Sequence, residues 1–181
     1  IPSVNPPGEE KEVAEFIASW FDKRKFHPVL TEAAPNRPNV EVRLQGRGEG
    51  STSDKTLIFN GHMDVVPAGS GWSHDPFGGE ITNDRVYGRG SGDMKGGLAA
   101  IMITLEILKR KMIKKFSGSI LFQAVVDEEI GARFGTSDLV RRGLKGDFGI
   151  VAEPTSLNLC IAHKGTIAFD VTTYGKAAHA S

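Results

Sequence analysis

"KTLIFNGHMDVVPAG", residues Lys55–Gly69, decides how the rest of the chain is read. A short apolar run, Leu57–Phe59, breaks at Gly61, and His62 and Asp64 follow before the turn residues Pro67 and Gly69. An apolar run bounded by turn signals reads as a buried strand. Its carboxyl end is where open α/β sheets bind ligands, so the placing of a histidine and an acid there raises the question of a metal site.

Two further stretches repeat the design. "SGSILFQAVV" (residues 117–126) is a continuous apolar run of the kind found in the middle of a sheet, and "DEEIG" follows at once; "DFGIVAEPT" (147–155) reads as another buried strand ending in Glu153. "NVEVRLQG" (39–46) alternates as a half-exposed strand. Between them lie helical patterns. Val13, Phe16, Ile17, Trp20 and Phe21 within Gly8–Lys25 share one helical face, with acids early and bases late to suit the helix dipole. "MKGGLAAIMITLEILKRKMIKK" (94–115) has helical composition and a basic last turn, and "GTSDLVRRG" (135–143) reads as a short helix opening on Thr136 or Ser137 and closing at Gly143. "GWSHDPFGGEITNDRVYGRGSGD" (71–93) is turn-rich with short strand-like pieces and delivers Asp93 to the mouth of the next element. Strands alternating with helices argue for an α/β fold, a mixed sheet between helical layers. The one candidate boundary lies near Thr155–Asn158, beyond which "LCIAHKGTIAFDVTTYG" changes to strand-like alternation without a helix.

Bulk properties narrow the function. In 181 residues, 39% hydrophobic and 24% charged, Lys+Arg and Asp+Glu number 22 each, so net charge gives no case for nucleic acid or an anionic membrane. No run approaches the roughly 18 apolar residues of a membrane span. The single cysteine, Cys160, can form no internal disulfide, which fits a reducing, cytoplasmic setting, and it reads as a small buried strand residue. The chain opens at Ile1 with "IPSVNPPGEE", which reads as the exit from an upstream segment.

His62, Asp93, Glu129 and Glu153 arrive from four separate loops. Zinc takes imidazole and carboxylate ligands where no thiolate is offered, and two cations about 3.5–4 Å apart need a carboxylate to bridge them. Asp93, flanked by glycines in "GRGSGDMKGG", suits the bridge because small neighbours allow close approach. Asp64, two residues beyond His62, is placed to accept the ring's second N–H and fix its tautomer. Glu128 and Glu129, adjacent in an extended backbone, would diverge, one to the metal and one, Glu128, to act as base toward a water. Each signal alone has a plain alternative: a satisfied polar pair, a solvated charged turn, tight-turn glycines. A nucleotide loop is disfavoured because Lys95 is followed by Gly96 rather than Ser or Thr.

Taken together, "SVNPPGEE", "GHMDVVPAG", "WSHDPFGGEI", "VYGRGSGDMKGGLAA", "DEEIGA", "AEPT" and "GKAAHAS", running in order from Ser3 to Ser181, resemble the dinuclear zinc aminoacylases and carboxypeptidases, a family that includes succinyl-diaminopimelate desuccinylase, acetylornithine deacetylase and glutamate carboxypeptidase. The resemblance implies a three-layer helix/mixed sheet/helix zinc-peptidase-like catalytic domain, truncated, over residues 1–156, and the start of a lid/dimerisation domain over 157–181. It implies hydrolysis of the amide bond of an N-acyl amino acid or small peptide by a homodimer carrying two zinc ions per subunit, with cobalt as a substitute. His62, Asp93 and Glu153 would hold one zinc and Asp93 and Glu129 the other. Asp64 would be the orienting acid and Glu128 the general base, and His179 would reach a partner's site to stabilise an oxyanion. A cis peptide is expected at Asp93–Met94. The family's last histidine ligand has no counterpart here, since His27, His74 and His163 read as structural. The chain by itself is therefore expected to be inactive, and a catalytically incomplete metal-binding or interaction module is the alternative.

Overall fold

The computed structural model describes residues 1–48, 54–165, 167 and 169–176. In chain order the elements are α1 (Lys11–Asp22), β1 (Val29–Ala34), β2 (Arg37–Gln45), β3 (Thr56–His62), β4 (Glu80–Thr82), β5 (Arg85–Tyr87), α2 (Gly96–Ile107), β6 (Ser119–Val125), α3 (Thr136–Arg141) and β7 (Phe148–Val151). Five strands form one mixed sheet in the order β1-β2-β6-β3-β7, with β6 at its centre, and β4 and β5 form a separate hairpin. β6 runs antiparallel to β2 and parallel to β3, while β7 is parallel to β3.

Strand parity assigns the layers. Val40, Val42, Leu44, Ile120, Phe122 and Ala124 pack with Val13, Ile17 and Phe21 of α1 and with Leu98, Ile101, Met102 and Leu105 of α2. The alternate positions face the other way, where Asn60 Nδ2 lies 3.3 Å from Thr136 Oγ1 at the start of α3. The result is helix, sheet, helix. Phe21 and Phe122 are fully buried with ring centroids 5.0 Å apart, and burial of such a side chain contributes roughly 1.5–3 kcal/mol.

Several sequence expectations change in detail. α1 buries Val13, Ala14, Ile17, Ala18 and Phe21 but leaves Phe16 exposed. β1 is a strand the residue pattern did not signal, because "VLTEAA" neither alternates nor runs apolar; it pairs with β2 through a turn at Asn36, whose φ of 59° asparagine tolerates. β2 alternates from Val40 to Gln45 as expected, but Asn39, on the open face by that alternation, is buried, as are Arg37 and Pro38 before it, since Arg37 and Asn39 make polar contacts inside. β7 was expected to be buried and is exposed at all four residues, lying at the sheet edge with β3 as its one strand neighbour among the described residues. Cys160, expected in a buried strand, is exposed. Described residues beyond Ser156 carry no helix or strand, and Leu159, Ile161 and Phe169 stand open, as a strand-forming sequence does without a partner.

The topology fixes where chemistry can occur. In register, His62 at the end of β3 faces Val125 at the end of β6, and Asn60 faces Val151 at the end of β7. Three parallel strands therefore release His62, Asp127–Glu129 and Glu153 at one edge.

Candidate metal centre

His62 is the last residue of β3 and is 1% exposed. Its Nδ1 lies 2.9 Å from the Asp64 carbonyl oxygen, which can only accept, so Nδ1 carries the hydrogen and Nε2 points away toward the acids. Asp93 sits in a tight turn, Ser91–Lys95, entered through Gly90 at φ 84° and leading into α2; the Asp93–Met94 peptide is cis. Glu128 and Glu129 occupy a short 3-10 turn after β6, set up by Asp127 at φ 70°, rather than the extended backbone expected from the sequence. Glu153 follows β7 by two residues.

These pieces converge. One ligand atom each from His62, Asp93 and Glu129 lie within 4.8 Å of one another. His62 Nε2 is 3.1 Å from Asp93 Oδ1, 3.7 Å from Glu153 Oε1 and 3.9 Å from Glu128 Oε2. Asp64 differs from its expected geometry. The Asp64 carbonyl makes the near contact with the ring, the carboxylate Oδ1 standing at 3.5 Å, because that carboxylate also accepts the backbone N–H of Glu128 and of Glu129, each at 3.1 Å. His179 lies outside the described residues.

Electrostatics follow from crowding acids around one ring. Burial pushes the His62 imidazolium down, but the Asp64 carboxylate and carbonyl and the Glu153 charge outweigh it, raising the pKa from 6.5 to about 9. Burial acts to raise the Asp64 carboxyl, yet His62, Asn5 and the two backbone N–H groups hold it below its usual range. Glu129 and Glu153 are raised, by burial first and then by the neighbouring charge of Asp93, against the pull of His62. Among the described residues no Lys or Arg nitrogen comes within 4.0 Å of the Asp93, Glu128, Glu129 or Glu153 carboxylates. One imidazole and several carboxylates without a Lys or Arg partner, all oxygen or nitrogen donors, are a set that fits a divalent cation such as zinc.

The remaining histidines stand apart. His74 pairs with Glu80 at 2.9 Å and stacks on Tyr87, His163 contacts its neighbour's carbonyl, and His27 is exposed. Asn5, Glu10, Arg37 and Asp127, for which the sequence pattern indicates no role, form a buried polar network under the cluster. The signal lay only in "NPPGE" and "DEE", where nothing in residue order reveals burial.

This α/β architecture gathers acids and one imidazole at the strand ends, an arrangement suited to holding a divalent cation. The model of Peptidase family M20/M25/M40 matches residues 58–180, and the chain belongs to that family. It is 36% identical, over 98% of its length, to succinyl-diaminopimelate desuccinylase of Methylobacterium radiotolerans, covering 47% of that protein. It is 33% identical to the N-formyl-4-amino-5-aminomethyl-2-methylpyrimidine deformylase of Bacillus subtilis, over 85% of the chain and 36% of the relative. The M20 family metallo-carboxypeptidase Sso-CP2 of Sulfolobus solfataricus superposes with a TM-score of 0.70 at 28% identity, covering 83% of this chain and 34% of that one. The chain spans about half the length of the curated relatives it matches.

Proposed function

We propose that this chain is the metal-bearing catalytic part of an amidohydrolase that cleaves the amide bond of N-acyl amino acids or small peptides. The observation that carries the reading is the meeting of His62, Asp93 and Glu129 ligand atoms within 4.8 Å, with Glu153 and Glu128 beside them. His62, Asp93 and Glu153 would hold one zinc ion, and Asp93 and Glu129 a second, with cobalt able to substitute. When bound, the ions supply Lewis acidity toward the amide carbonyl and make water a better acid.

The chain's own residues do the rest. The Asp64 carbonyl takes the Nδ1–H of His62, which leaves the lone pair of Nε2 in the neutral ring free for a cation, and the Asp64 carboxylate anchors the N–H groups of the Glu128–Glu129 turn. Glu128, whose carboxylate lies 3.9 Å from His62 Nε2 and is half exposed, accepts a proton from the attacking water and returns it to the leaving amine nitrogen. His179 would stabilise the oxyanion from a partner subunit of a homodimer. In this reading residues 1–156 are catalytic and 157–181 begin a lid or dimerisation domain, and the protein is cytoplasmic, in keeping with its lone cysteine. Relatives named as a desuccinylase and a deformylase, both removing an acyl group from nitrogen, support the substrate class.

The alternative is a metal-binding module without catalysis. It draws on the absence of a second imidazole from the cluster among the described residues. Assay of the whole protein, loaded with zinc or cobalt, against N-succinyl, N-acetyl and dipeptide substrates separates the two. Turnover of at least one class is expected; metal bound without turnover of any of them would favour the module.

A further inference from the structure

The segment Ser3–Glu10, before α1, runs beneath the acid cluster. Val4 pairs with Val65 in a parallel bridge, Asn5 N–H donates to Val65 O at 2.9 Å, and Ser3 Oγ donates to Met63 O at 2.7 Å. This places the fully buried Asn5 between acids from two different turns. Its Nδ2 donates to Asp64 Oδ2 at 2.8 Å and lies 3.5 Å from Asp127 Oδ1. Asp64 in turn receives the N–H groups of Glu128 and Glu129, and Asp127 is the residue that opens their turn. Arg37 anchors the far side, with Nη1 3.0 Å from Asp127 Oδ1 and two hydrogen bonds to Glu10.

The Asn5 amide can take only one orientation. Rotated by half a turn, its oxygen would face two carboxylates. In the orientation it holds, Oδ1 is buried without a partner, which disfavours the fold. An apolar side chain of similar shape would avoid that cost. The amide's distinctive contribution is therefore its donation to the acids on either side of the cluster.

We propose that Asn5 is a positioning residue: by donating to Asp64 and standing against Asp127 it fixes the spacing between the His62 turn and the Glu128–Glu129 turn, and so sets the affinity of the centre for a divalent cation. The inference rests on the metal-centre reading above. Outer-shell partners of this kind change metal affinity by roughly 10–100-fold when removed.

The test measures Zn2+ affinity by competition with a chromophoric chelator, and the visible spectrum of the Co2+ form, for the wild type, Asn5→Ala, Asn5→Ser and Ser3→Ala, each checked for folding by circular dichroism. Ser3→Ala removes a bond of the same segment that touches no acid. Folded Asn5 variants are expected to bind Zn2+ roughly 10–100-fold more weakly with an altered Co2+ spectrum, while Ser3→Ala melts earlier with affinity and spectrum unchanged. Wild-type affinity and spectrum in Asn5→Ala would overturn the inference, as would an equal loss in Ser3→Ala. Failure of both Asn5 variants to fold would make the residue structural and also overturn it. A wild type that binds neither ion would refute the metal-centre reading itself, a different result from a wild type that binds and variants that bind equally.

Discussion

His62 Nε2 and Asp93 Oδ1 stand 3.1 Å apart although 31 positions separate them in sequence. One ends a strand and the other sits in the turn that leads into α2, and the backbone bonds that fix each are independent of the pair. Met63 N–H donates to Val125 O behind the histidine, and Lys95 N–H donates to Gly90 O across the Asp93 turn. The contact is therefore held by the scaffold, and a cation joining the centre meets ligands already in place.

A bound cation should stabilise the fold, because it replaces repulsion among acids with attraction and binds only the assembled site. At Zn2+ a hundredfold above its Kd, linkage contributes about 2.7 kcal/mol. At about 2–4 °C per kcal/mol for a domain of this size, the melting temperature rises roughly 5–11 °C. Differential scanning fluorimetry with and without a chelator reads this directly. His62→Ala should abolish the rise, and the absence of any rise in the wild type would count against the centre.

Metal binding should release a proton near neutral pH. The His62 pKa in the metal-free protein is raised to about 9, so the ring is charged at pH 7, whereas a ligand must be neutral. Zn2+ affinity then climbs with pH until about 9 and levels off. Folding stability of the metal-free protein moves the other way: the contribution of the raised group is fully present below the ordinary pKa of 6.5 and is lost as pH rises through about 9. Calorimetric titrations in buffers of different ionisation enthalpy count the proton, and identical heats in all buffers would contradict the assignment.

How much of this was legible in the sequence depends on what each residue's role rests upon. β6 could be read because it is buried on both faces, and such a strand needs an unbroken apolar run; the acids after it could be read because strand ends are where ligands bind. β7 has the same kind of run but lies at an edge, and edge position depends on strand order, which no local pattern encodes. Asn5 and Arg37 were illegible for a different reason. Their residue types are ordinarily exposed, and only the arrival of Asp64 and Asp127 from elsewhere in the chain makes their burial tolerable.

Glu128→Gln should separate chemistry from binding. The amide keeps the size and the neighbours of Glu128 but cannot accept a proton from water. In the whole protein turnover should fall by about 10²–10⁴-fold, the ordinary worth of a positioned base, with Zn2+ content unchanged. Undiminished turnover would remove Glu128 from the mechanism.

Arg37→Ala should be costly to the fold. It would leave Glu10, fully buried, and Asp127, 2% exposed, without their shared cation. Breaking a buried pair from one side costs about 3–5 kcal/mol. Urea denaturation should show the midpoint falling accordingly, and a loss no larger than that of an exposed pair such as Arg142–Asp138 would show that the acids find other partners.

Gly97→Ala tests whether α2 and the Glu153 segment share one rigid contact. A Cβ at Gly97 would overlap the Ala152 carbonyl oxygen and lie 3.0 Å from the Ala152 Cβ. Helix propensity alone favours alanine over glycine by up to about 1 kcal/mol, but overpacking against backbone costs about 1–3 kcal/mol, and a carbonyl cannot rotate aside as a side-chain end can. The clash should win, and because Glu153 is the next residue, its displacement should weaken Zn2+ binding along with stability. Gly149→Ala is the comparator: it lies in β7, the strand that leads to Ala152 and Glu153, with nothing within 4 Å of an added Cβ, so both quantities should stay at wild-type values or rise slightly. Equal Zn2+ affinities in the two variants would mean that Glu153 is not held by its packing on α2.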